Sequence, residues 1–128
     1  MTKKIISTGA IFGVLAIILG AFGAHALKKV LTPEHLVTFE TGVRYQMYHA
    51  LFLILIGTLT DLDEKTKKKI YYLILSGVIL FSGSIYLLAT NDLTPFDFRT
   101  IGFITPIGGF LLILGWAVFL LSILKKKS

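Results

Sequence analysis

The sequence predicts an all-α membrane protein whose four transmembrane helices form an antiparallel bundle. Three observations predict it. Four apolar runs, at 5–26, 43–59, 70–89 and 101–124, fill most of the 128 residues. Mean hydropathy is +0.81, and 55% of residues are hydrophobic. The connections between runs are too short to add a soluble core. A helix of roughly 20 apolar residues, rising about 1.5 Å per residue, crosses a hydrocarbon core about 30 Å thick. A soluble domain this small could not bury four such helices. One domain, residues 1–128, is expected.

The first run follows a short basic start, Met1–Lys4, and ends at Ala24-His25-Ala26, which resembles a signal-peptidase site. Signal-peptide cores are shorter, about 7–15 residues, so a retained first helix is expected. It carries Gly9, Gly13, Ala16, Gly20, Gly23 and Ala24, which fall within an arc of about 100° on a helical wheel. Lipid tails provide no hydrophobic drive for helix association, so small residues that permit close backbone approach mark a packing face. The helix it packs on is another of the same chain or one of a second copy.

The second element is expected to start at Leu31-Thr32-Pro33. Threonine suits an N-cap, and proline suits the first helical position because its missing N–H has no partner there anyway. A helix from Pro33 to Leu59 would be about 40 Å long. Its outer, amphipathic start must therefore extend past the hydrocarbon or bend near Gly42. Glu40, Arg44 and Tyr48 form one row, and Thr41, Tyr45 and His49 the next. Leu36, Phe39, Val43, Met47 and Ala50 face the other way.

Residues 61–69 form a short charged turn into the third run. Leu93-Thr94-Pro95 repeats the Leu-Thr-Pro pattern and reads as a second helix start. The fourth run contains Thr105-Pro106 and Gly108-Gly109. A proline inside a span frees a carbonyl one turn back and can kink the helix; the glycine pair would admit a neighbour there. Pro106, Gly108 and Gly109 therefore join the packing residues.

With four spans, both termini and the middle loop share one side. That side carries Lys3, Lys4, Lys65, Lys67, Lys68, Lys69, Lys125, Lys126 and Lys127, and the other carries Lys28, Lys29, Arg44 and Arg99. Lys and Arg in short loops stay inside, so a multi-pass protein of the cytoplasmic (inner) membrane is expected, both termini cytoplasmic. The net charge of +6 is carried by these end clusters. Membrane lipids, anionic ones included, are the expected partners, each basic residue near the surface contributing about 1 kcal/mol. A homo-oligomer or another membrane-protein complex is the other. Nucleic acid is not expected, because no basic stripe interleaves with exposed aromatics.

The candidate polar cluster is His25, Glu40, Arg44, Tyr45, Gln46 and His49, expected near the outer face. Ionisable groups at membrane depth are expensive and usually paired. Glu40 and Arg44 have i,i+4 ion-pair spacing. His49 lies one to two turns inside its span and needs a partner; His25 ends the first span on the same side. No metal is expected, since no two of His25, His35 and His49 are i,i+4 on one helix. The absence of cysteine excludes disulfides, thiolate chemistry and Cys-ligated metals. No cofactor is expected.

The run Gly20-Ala21-Phe22-Gly23-Ala24-His25-Ala26-Leu27 resembles a signature of small bacterial membrane proteins of the YgdD/YwdK type. They are known as domain of unknown function 423 and have mitochondrial relatives. Phe39-Glu40-Thr41-Gly42-Val43-Arg44-Tyr45-Gln46-Met47-Tyr48-His49-Ala50-Leu51 is similar to that family's second block. Thr105-Pro106-Ile107-Gly108-Gly109, with Gly115-Trp116 following, is similar to its third. The resemblance covers essentially the whole chain. It implies four membrane helices and no established activity, and treats His25, Tyr45, Gln46, His49, Pro106, Gly108 and Gly109 as a unit.

Three functional classes follow. The leading one is a non-enzymatic module that packs with itself, with another membrane complex or around a lipid. The alternative is a small oligomeric transporter or channel. Against it, all seven acids (Glu34, Glu40, Asp61, Asp63, Glu64, Asp92 and Asp97) lie in loops or at helix ends, whereas ion transport usually needs a carboxylate in mid-membrane. The third, a histidine-based enzyme, lacks a nucleophile motif and a carboxylate to pair with Glu40, so no enzyme is expected.

Overall fold

Four α-helices follow one another in a computed structural model that describes residues 1–95 and 97–125: α1 (Thr2–His25), α2 (Pro33–Thr58), α3 (Glu64–Ala89) and α4 (Ile104–Lys125). Short 3-10 turns at Leu27–Lys29, Asn91–Leu93 and Phe98–Ile101 complete the regular structure; no strand occurs among the described residues.

Local chemistry sets the helix ends. The Thr32 hydroxyl accepts from the His35 backbone N–H at 3.2 Å, with Pro33 at the first helical position and Glu34 in the first turn. The Asp63 carboxylate caps α3 by accepting from Thr66 N at 2.9 Å. At the end of α2, the ammonium of buried Lys67 donates to the Gly57 carbonyl at 3.3 Å; a cation there also suits the negative end of the helix dipole.

The second Leu-Thr-Pro does not start a helix. The Asn91 side chain accepts from Phe98 N at 2.6 Å, and Asp97 accepts from both the backbone and the guanidinium of Arg99. These bonds fold the segment into 3-10 turns, and α4 begins only at Ile104. Hydrogen bonds from Arg99 hold the Asp97 carboxyl below its ordinary range. Pro106 consequently stands in the first turn of α4, where its missing N–H is harmless. The expected mid-span kink has no cause there.

Among the described residues, three helices are long and apolar enough to cross a membrane: Thr2–Lys29, Glu64–Ala89 and Phe98–Lys125. The second helix does not qualify, because Arg44, Gln46 and His49 interrupt its apolar stretch. Yet α2 is one unbroken helix of 26 residues, about 39 Å long, and it is more deeply covered by protein than α1 or α4. Its buried residues include Phe39, Gly42, Gln46, His49, Leu53 and Ile56, a stripe at alternating three- and four-residue spacing.

The helices pack in chain order, α1 on α2, α2 on α3 and α3 on α4. Glycines set the approach. A Cβ on Gly9 would lie 2.7 Å from the Ala50 carbonyl oxygen, and one on Gly57 2.5 Å from Ile6. One on Gly42 would lie 2.7 Å from the Tyr86 ring. Between α3 and α4, Gly77 faces Leu112, Gly115 faces Ile74, and Gly108 lies directly against the Phe81 backbone. The expected stripe on α1 is narrower than the wheel suggests. Gly9, Ala16 and Gly23, seven residues apart, are buried. A Cβ on Gly13 or Gly20 would make only ordinary contacts, at 3.9 and 3.5 Å, and Ala24 is exposed. A Cβ on Gly109 would lie 3.4 Å from the Phe81 ring. The largest apolar core lies between the helices around Ile5, Leu53, Ile56, Ile70 and Ile74. A smaller one, around Leu27, Phe39 and Ala89, closes the other end.

Candidate functional site

Polar side chains gather where α2 meets its neighbours. The Gln46 amide N–H donates to the Phe12 carbonyl on α1 at 2.8 Å, and its oxygen accepts from the Tyr86 hydroxyl on α3 at 2.6 Å. One turn further, His49 Nε2 accepts from the Trp116 indole N–H on α4 at 3.0 Å. His49 Nδ1 lies 2.6 Å from the Tyr45 carbonyl. The Trp116 ring also stacks on Phe52, with centroids 4.0 Å apart and planes 18° from parallel. Ser82 donates to the Gly42 carbonyl at 2.8 Å, Ser84 and Thr105 share a hydrogen bond, and Thr8 meets the Tyr71 hydroxyl at 3.0 Å. Among the described residues, no buried side-chain nitrogen or oxygen lacks a partner.

The Gln46–Phe12 and His49–Trp116 bonds lie halfway along the bundle, not at the helix ends where the run boundaries place them. Phe12 is the eleventh of 24 residues in α1, and Trp116 the thirteenth of 22 in α4. The apolar run at 43–59 is a poor guide to depth, because α2 is already packed between α1 and α3 from Phe39 onward.

The structure brings Gln46 and His49 inside and separates the other candidates from them. His25 is exposed at the end of α1. Gly23 faces Phe39 there, whereas Gly9 faces Ala50, so His25 and His49 are about 20 Å apart along the helices. The spacing of Glu40 and Arg44 does not yield an ion pair: Arg44 Nη2 donates to Thr41 at 3.2 Å, and both residues are exposed. Tyr45 contributes its carbonyl, while its ring packs on Phe81 and Tyr48. Pro106 is exposed. No group of three His, Cys, Asp or Glu able to hold a metal occurs among the described residues.

Sequence reasoning missed Tyr86, Ser82 and the role of Trp116. One signal was available for Trp116. Tryptophan concentrates at membrane interfaces, and a tryptophan in mid-span must find an acceptor for its N–H.

His49 has both ring nitrogens engaged, and Gln46 uses both ends of its amide. What these groups accomplish is the joining of α2 to each of the other three helices.

Comparison with known proteins agrees with a membrane protein of this kind. The family model described as "Protein of unknown function (DUF423)" matches residues 19–109. A UPF0382 membrane protein of Staphylococcus haemolyticus is 39% identical over 96% of this chain and 97% of its own length. The UPF0382 membrane protein YwdK of Bacillus subtilis is 37% identical, covering 96% of this chain and 98% of its own. The UPF0382 inner membrane protein YgdD of Escherichia coli is 34% identical, covering 92% and 87%. No solved structure matches. The chain therefore belongs to the DUF423 family, and it is an integral membrane protein.

Proposed function

We propose that this chain is a four-span, non-enzymatic module of the inner membrane, with both termini cytoplasmic, that acts through the surfaces it presents to lipid or to other membrane proteins. The observation that carries this reading is the use made of the polar core. Gln46 and His49 bind Phe12, Tyr86 and Trp116, so the groups that break the apolar pattern of α2 hold helices together. With those groups satisfied by protein, α2 can sit at membrane depth as the fourth span of an antiparallel bundle. The excess of Lys on the side of the termini and the α2–α3 turn orients it.

The test is reconstitution. Vesicles carrying the protein should hold an imposed pH gradient as long as empty vesicles do, and a reporter active only in the periplasm, fused after Ser128, should stay silent. The mid-depth position of His49 favours the second reading, a small oligomeric transporter. A proton leak that disappears in His49→Phe would establish that reading and overturn ours.

A further inference from the structure

With Gln46 and His49 satisfied inside the bundle, two charged groups on α2 remain without such cover: Glu40 and Arg44 are exposed. Val43 lies beside Gly20 of α1, and Phe39 beside Gly23. Arg44 therefore sits about 9 Å inside the outer end of α1, with Glu40 one turn nearer that end. Among the described residues, Arg44 bonds only Thr41 of its own helix, and the Glu40 carboxylate makes no hydrogen bond or ion pair. Ionisable groups at membrane depth almost always face the interior of a bundle and pair with one another. These two face outward.

They belong to a longer face. Val37, Glu40, Arg44, Tyr48, Leu51 and Leu55 recur at three- and four-residue spacing, and all are exposed. The row is about 27 Å long, close to the full hydrocarbon thickness, so it suits a spanning helix. Its outer half is polar. Its inner half is apolar, and through Leu55 it continues into a cavity of about 740 Å³ walled on α4 by Trp116 and Leu120. The charges select the helix that covers it. An acid and a base one turn apart form a self-complementary patch. About a twofold axis along the membrane normal, each Arg44 meets the partner's Glu40, and two ion pairs form where one chain alone forms none.

We propose that two copies of this chain pair across this face, α2 against α2, through reciprocal Arg44–Glu40 bridges. The proposal deepens, and rests on, the membrane-embedded reading above.

The chain has no cysteine, so an introduced thiol is unique. With the full-length protein in membranes, oxidation should convert Leu51→Cys into a disulfide-linked dimer. Ile79→Cys is similarly exposed, at similar depth on α3, and should stay monomeric. Glu40→Arg and Arg44→Glu, each added to Leu51→Cys, set like charges against each other and should cut the dimer at least about tenfold. The two charge variants, carrying different tags and mixed in one membrane, should link to each other; a bond within one chain cannot produce that rescue. Leu51→Cys linking no more than Ile79→Cys overturns the pairing. So does a dimer indifferent to both charge reversals, a mixture that fails to link, or linkage to a different protein instead. A chain that stays monomeric but remains with the membrane in alkaline carbonate overturns the pairing alone. One that washes off overturns the membrane reading as well.

Discussion

The indole N–H of Trp116 points at Nε2 of His49, 3.0 Å away, and spans the space between α4 and α2. Indole nitrogen can only donate. Nε2 must therefore be the unprotonated nitrogen, and Nδ1 carries the proton and donates to the Tyr45 carbonyl at 2.6 Å. One bond thus sets the tautomer of His49 and orients its ring. With ¹⁵N-labelled histidine in lipid, magnetic-resonance spectra should show His49 protonated at Nδ1 alone. A proton on Nε2 would show that the Trp116 bond does not form.

The same pair should behave as one unit energetically. Trp116→Phe removes the donor, and His49→Phe removes the acceptor. Interhelical hydrogen bonds in membranes average about 0.6 kcal/mol and reach about 1.7. A double-mutant cycle read by thermal stability in mild detergent should give a coupling in that range. His25→Ala lies at an exposed end and should be nearly neutral, and its effect should add to that of His49→Phe. Coupling between His25 and His49 would contradict the separation of the two residues along the bundle.

Glycine substitutions should rank by what each new methyl meets. Gly108→Ala strikes the Phe81 backbone, and Gly9→Ala strikes the Ala50 carbonyl; backbone cannot swing aside. Each should cost about 1–3 kcal/mol. Gly13→Ala should cost far less, since its nearest neighbour is Ala50 Cβ at 3.9 Å. Gly83 has nothing within 4 Å, so Gly83→Ala should be neutral or should stabilise by up to about 1 kcal/mol, as glycine is a poor helix former. Equal melting temperatures for Gly108→Ala and Gly83→Ala would mean that α3 and α4 are not in backbone contact.

Helix number and approximate boundaries were legible because they depend on run length and on caps within a few residues, such as Thr32 and Asp63. The start of α4 was not. It depends on Asn91 reaching Phe98 and on Asp97 holding Arg99, contacts that a Leu-Thr-Pro match cannot foresee. The candidate site was half legible. Polar residues in an apolar helix announce that they need partners, and Gln46 and His49 were found that way. Their partners were hidden for two reasons. One is a backbone carbonyl, Phe12, which every residue possesses. The others, Tyr86 and Trp116, read as ordinary membrane aromatics until the register of α3 and α4 against α2 is known. His25 was paired with His49 because both were assigned to the outer side; side alone does not give depth.

Gln46 provides the sharpest test of whether the polar core is structural. Its amide joins three helices, so Gln46→Leu removes two interhelical bonds at once. The Phe12 carbonyl loses least, because it belongs to the hydrogen-bonded ladder of α1. Tyr86 loses more: its half-buried hydroxyl is left without its acceptor, and an unsatisfied polar group costs about 1–3 kcal/mol. Removing that hydroxyl as well should return part of the loss. Gln46→Leu with Tyr86→Phe should therefore melt at a higher temperature than Gln46→Leu alone, although it carries one more substitution. Tyr86→Phe by itself should destabilise, because it strands the Gln46 oxygen. If the double variant is the least stable of the three, the Tyr86 hydroxyl has another partner and the Gln46–Tyr86 bond is not what holds α2 to α3.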